Sequence, residues 1–145
     1  MWAYCYNGTM MLASLKRVER PEPEPGPYDI VIRMHAAALN YRDVALARGQ
    51  YHISVRPPLI PLSDRAGEVV QIGSAVQRFH VGDLVAPVYL PDWLDGPVTP
   101  RAGRQRLGGP TDGVLTEFTC VHEEEAVLRH AISGKLITDN LKELL

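Results

Sequence analysis

Few residues of this chain come in groups that could do chemistry unaided. His122-Glu123-Glu124-Glu125 sets an imidazole beside three carboxylates, the donor types of a metal or acid–base site. Adjacent side chains of an extended segment point to opposite faces, so a solvated loop is the better reading of the run. The two cysteines, Cys5 and Cys120, are too few for a disulfide framework and lack the C-x-x-C spacing of a structural zinc site. Both read as core thiols of a protein in a reducing cytoplasm. No two glycines stand two apart, which excludes G-x-G-x-x-G, and no Walker loop, H-E-x-x-H or G-x-S-x-G occurs. The 145 residues carry no recognisable cradle for a nucleotide phosphate.

The elements that must position any site are mostly strands. Twelve prolines and twelve glycines are more punctuation than a helical bundle tolerates. Met1 to Tyr6 is an aromatic and apolar run stopped by the turn dipeptide Asn7-Gly8, and residues 12–20 resume an extended pattern. Pro21-Glu22-Pro23-Glu24-Pro25-Gly26-Pro27 can be neither helix nor ladder strand and reads as a rigid surface connector. Ile30, Ile32 and Met34 then alternate with polar neighbours, as in a strand with one buried face. Tyr41 to Arg48 is a short helix stopped at Gly49, residues 66–72 a strand, and Arg78 to Val85 a turn feeding another. Residues 91–113 form a long loop, and Val114 to Val121 a final extended segment. In the tail, Ile137, Leu141 and Leu144 fall at the spacing of an amphipathic helix.

Composition excludes several classes. Hydrophobic residues are 46% and charged ones 22%, so the chain folds, and its length suits one domain. Fifteen Lys and Arg against seventeen Asp and Glu leave a net charge of -2, with no basic field for nucleic acid or anionic lipid. No apolar run approaches the about 20 residues that span a bilayer, and the expected setting is cytoplasmic.

Taken in order, Pro21 to Pro27, DIVIRMHAAALN (Asp29 to Asn40), Tyr41-Arg42-Asp43, Arg48-Gly49-Gln50-Tyr51, PLSDRAGEVVQIGSAV (Pro61 to Val76) and RFHVGDLV (Arg78 to Val85) resemble the N-terminal half of medium-chain dehydrogenase/reductases. That half is the GroES-like barrel domain of zinc alcohol dehydrogenases, quinone oxidoreductases and enoyl reductases. The resemblance covers residues 1 to about 129. It implies a mainly β, partly open barrel over residues 1–130 with short helices near 41–48 and 134–145, residues 131–145 being a helical tail.

The same resemblance implies the subclass. Zinc members begin the Pro61–Val76 stretch with Gly-His-Glu. Here Ser63 stands for the ligand His, Asp64 for the Glu, and Asn40 for an upstream ligand Cys. Hydroxyl and amide are poor Zn²⁺ ligands beside imidazole and thiolate, so no zinc is expected. The four-cysteine structural zinc lobe is also missing, with loop 91–113 in its approximate place. The zinc-independent branch reduces quinones, enones or enoyl thioesters with NADPH or NADH. By resemblance Tyr51 is the proton donor to the reduced substrate, the plain alternative being a phenol packed at the barrel edge. Asn40, Tyr41 and Asp43 line the nicotinamide cleft, although Asn40 could be a turn former and Asp43 a helix cap. Trp93 could lid an apolar substrate or pack at the rim.

In the family a Rossmann domain follows, binding the dinucleotide, and then a return segment. These residues resemble neither, so the chain alone is expected to bind NAD(P)H weakly or not at all. Three expectations follow: a catalytic half served by a separate nucleotide-binding domain and a small carbonyl or quinone substrate, a module that binds a protein partner or itself as a homodimer, or an inert remnant.

Overall fold

The computed structural model describes residues 1–51, 55, 57–93 and 95–129. The helix expected over 134–145 lies outside the described residues. Among the described residues, seven strands and two short α-helices follow in order: β1 (Trp2–Tyr6), β2 (Leu15–Glu19), β3 (Asp29–Ala38), α1 (Tyr41–Ala47), β4 (Asp64–Ile72), β5 (Leu84–Pro87), α2 (Pro100–Gly103), β6 (Phe118–His122) and β7 (Ala126–Leu128). β1 and β2 form an antiparallel hairpin, and the other five strands form one curled half-barrel sheet in the order β6-β3-β4-β5-β7.

Strand alternation builds the core. Ile30 and Ile32 of β3, Val69 of β4, Val85 of β5, Val121 of β6 and Ala126 turn inward around Phe79, every one buried. Burying branched side chains of this size is worth about 1.5–3 kcal/mol each, which offsets the ordering of a proline- and glycine-punctuated chain. β3 is the hub, paired with β4 on one side and β6 on the other. Its register with β4 shifts between Met34 and Ala36, so His35 is the extra residue of a bulge just before the chain enters α1.

The proline connector is tied down by a close approach. A side chain at Gly73 would sit 1.9 Å from the Gly26 carbonyl oxygen, and the Ala75 amide donates to the Pro27 carbonyl.

Three expectations need correction. Glu123 is not in a solvated loop: residues 123–125 form a single 3-10 turn, and the buried Glu123 carboxylate accepts the Gln77 and Arg78 amides at 2.9 and 2.8 Å. Those backbone donors, Arg78 first, hold its carboxyl below the usual carboxylate range. The final extended segment forms a strand only from Phe118, and β7 follows it. Cys5 is a core thiol, but Cys120 is only half-buried, on the outward side of β6.

Candidate functional site

The cluster is assembled where β3 ends, α1 begins and β4 starts. Asn40 is the N-cap of α1, and its backbone N–H donates to Asp43 Oδ2 at 2.9 Å, half of a capping box that sets the helix start. From that position the Asn40 amide donates to Asp64 Oδ2 at 2.8 Å, and the Ser63 hydroxyl lies 3.4 Å from Asp64 Oδ1. Asn40, Asp43, Ser63 and Asp64 therefore form one polar cluster. Asp43 and Ser63 are buried beneath it, while Asp64 is exposed.

Asp43 is the unusual member. Its Oδ1 is buried and without a hydrogen-bond partner among the described residues, the nearest cation being Arg42 at 3.8 Å. Burial, and secondarily the charge of Asp64, pushes its carboxyl pKa up, against the Asn40 N–H and Arg42. Tyr6 of β1, buried at 4% exposure, feels the same carboxylate: burial and then Asp43 raise its phenol pKa. Tyr6 therefore belongs behind the site, a neighbour that sequence reading missed because it closes an aromatic run on a distant strand.

Arg42, also missed, ties α1 to the long loop. Its guanidinium donates to Tyr89 Oη at 3.1 Å and to the Leu107 carbonyl at 2.7 Å, and stacks 5.0 Å from the Tyr89 ring centroid. Beyond Leu107 the loop lies directly on the residue before Ser63. Side chains at Gly108 or Gly113 would come within 2.2 or 2.0 Å of the Leu62 carbonyl oxygen, and Leu62 itself holds φ at +71°. A non-glycine left-handed residue is strained, and the surrounding contacts hold it at the entry to the cluster. Residues 107–113 are thus a fixed wall rather than a lid. Trp93 lies outside it, exposed, its indole N–H donating to the Gly96 carbonyl at 2.9 Å.

The remaining candidates are spread along the same edge. Tyr41 opens α1 at 86% exposure, its ring toward solvent, and Tyr51 is half-buried after the turn at Gly49, whose φ is +65°. The cavity of about 480 Å³ beside β6 is lined by Arg20, Asp112, Cys120 and Glu125, not by the cluster. Arg65, next to Asp64 but turned inward, is buried with its three side-chain nitrogens unpartnered among the described residues. Burial pulls its pKa down to about 9, opposed by the Glu125 charge.

Known proteins share this chain's sequence and fold. A zinc-type alcohol dehydrogenase-like protein of Schizosaccharomyces pombe is 34% identical over 105 residues, 72% of this chain and 30% of its own length. A chloroplastic quinone-oxidoreductase of Triphysaria versicolor is 44% identical over 79 residues, 50% of this chain and 23% of its own. A solved Sinorhizobium meliloti protein assigned as an alcohol dehydrogenase superposes with a TM-score of 0.80 at 33% identity, covering 97% of this chain and 42% of that one. The chain thus spans less than half the length of these relatives. Residues 26–131 match the alcohol dehydrogenase GroES-like domain, and the chain belongs to that family of the medium-chain dehydrogenase/reductases.

Proposed function

We propose that this chain is the substrate-side half of a zinc-independent, NAD(P)H-dependent oxidoreductase acting on quinones or conjugated carbonyl compounds. The observation that carries the reading is the Asn40–Asp64 hydrogen bond at 2.8 Å, with Ser63 beside it. Where zinc relatives gather ligand lone pairs, this cluster turns an amide N–H and a hydroxyl onto its one exposed carboxylate. Two carboxylates, each already accepting from Asn40, with no imidazole or thiolate beside them, do not fit a Zn²⁺ ion, which takes three protein ligands in catalytic sites. A relative of Thermoanaerobacter brockii is an NADP-dependent isopropanol dehydrogenase, 34% identical over 124 residues, which supports a nicotinamide partner for the fold.

When bound, such a cofactor supplies a hydride. The protein's own residues bind, orient and protonate. Asn40 and exposed Tyr41 line the face presented to the nicotinamide and substrate carbonyl, and Asp43 fixes Asn40 through its backbone N–H. Tyr51 donates the proton that neutralises the reduced substrate's oxygen or α-carbon. Arg42 and the packed segment 107–113 hold the back wall. The dinucleotide's phosphates are held by residues other than these 145, which offer no glycine-rich helix start.

Titration of the labelled chain with a fully substituted quinone, followed by amide NMR shifts, tests the reading. Shifts clustered at Asn40–Asp43, Tyr51 and Ser63–Asp64 are expected, with Asn40→Ala raising the dissociation constant about fivefold, the worth of one neutral hydrogen bond. Shifts confined to other faces, or binding indifferent to Asn40→Ala, would contradict it.

A further inference from the structure

The outward face of the β3–β6 pair is half covered and half bare. Val31 points outward yet is 2% exposed, and its cross-strand partner Cys120 has its sulfur 3.9 Å from the Glu24 carbonyl oxygen. The proline strap, residues 21–27, therefore lies over this point. One outward position further along β3, at Arg33 and its partner Phe118, a groove of about 380 Å³ opens instead. Trp2, Tyr4 and Phe118 give it aromatic walls, Arg17 and Arg33 give it cations, and His35 lies in the lining beside them. The Arg17 guanidinium stacks 4.2 Å from the Trp2 centroid and has no ion pair among the described residues, whereas Arg33 and His35 share Glu68. Glu117, also in the lining, accepts the Trp2 amide.

Aromatic walls with interleaved arginines are suited to an extended proline-rich segment that carries carboxylates. The chain contains such a segment. Prolines at 21, 23 and 25 preset the extended left-handed conformation, and Glu22 and Glu24 are exposed with no ion pair among the described residues. The strap cannot enter its own groove, because Gly26 is held by Asp29 Oδ2 at 3.1 Å and the Pro27 carbonyl accepts the Ala75 amide. Ridge and groove side by side on one face are self-complementary under a two-fold axis, each strap meeting the partner's groove.

We propose that this face joins two copies of the chain, the acidic proline strap of each lying in the aromatic and cationic groove of the other. The inference is independent of the proposed function. Sedimentation of the 145-residue chain tests it, with a concentration-dependent dimer expected whose dissociation constant rises about tenfold from low to high salt as the charge pairs are screened. Glu22→Lys with Glu24→Lys gives a monomer, as does Arg17→Glu with Arg33→Glu. The four changes together restore the dimer, which loss of folding could not do. The strap changes fall on exposed residues and decide the matter alone should the groove variant not fold. A monomer at every concentration overturns the proposal, and so does a dimer insensitive to the strap reversal, since its interface then lies elsewhere.

Discussion

The side chains of the cluster differ sharply in how their charge is accommodated. Asp43 is a buried carboxylate with one oxygen unpartnered among the described residues and a pKa raised chiefly by burial. A carboxyl whose folded pKa lies above its unfolded value is favoured while protonated, so its contribution to stability falls as pH rises through that window. Asp43→Asn keeps the oxygen that accepts the Asn40 N–H and removes the charge. Its stability relative to wild type should therefore improve from about pH 4 to pH 7 in denaturant titrations. A difference independent of pH would show that Asp43 is comfortably ionised in the fold. Arg65 presents the opposite sign of charge with the same difficulty, buried and unpartnered among the described residues, with its pKa at about 9. At neutral pH it is charged in both folded and unfolded chains, so the desolvation cost is borne in full. Arg65→Met should raise stability by about 1–3 kcal/mol, read from the chemical denaturation midpoint. A loss of that size would mean that the guanidinium has a partner the fold depends on. Neither property was legible in sequence, where Asp43 reads as a cleft residue or a helix cap and Arg65 falls just before the strand expected over 66–72.

At the scale of elements, the site depends on one buried side chain joining a helix to a loop. Arg42 sits in α1, but its hydrogen bonds go to Tyr89 and Leu107, so it orders the wall that packs on Leu62. Arg42→Ala should cost about 1.5–3 kcal/mol, the range for hydrogen bonds made by a charged group. Arg42→Lys should recover only part of it, because an ammonium cannot reach both acceptors in the geometry of a planar fork. Faster amide exchange confined to residues near 105–113 in the lysine variant would locate the defect, and full recovery by lysine would show that charge alone matters. The strands and α1 were legible because alternation and the Gly49 stop are local signals. The 3-10 turn at 123–125 and β7 were not. Their order comes from Glu123 receiving the Gln77 and Arg78 amides, a contact 45 and 46 residues away in the chain. Likewise 91–113 reads only as a long loop, while two glycines of its second half are pressed against Leu62.

At the scale of the molecule, the chain spans less than half the length of the relatives it matches, and on the proposed reading its half-barrel supplies one wall of a cleft. Asn40 and Asp64 were singled out by resemblance to the family's ligand positions, and Tyr51 by resemblance to the family's phenol. The bond between the first two was not legible, because it is made by the meeting of a helix cap and a strand start 24 residues apart. On the proposed reading Asn40 and Tyr41 face a nicotinamide ring, while the sequence carries no G-x-G-x-x-G loop to grip the phosphates, so the affinity for the whole cofactor should be slight. Isothermal titration of the 145-residue chain with NADPH tests this division of labour most directly. The account predicts a dissociation constant weaker than about 1 mM, worth no more than about 4 kcal/mol, and micromolar binding would contradict it.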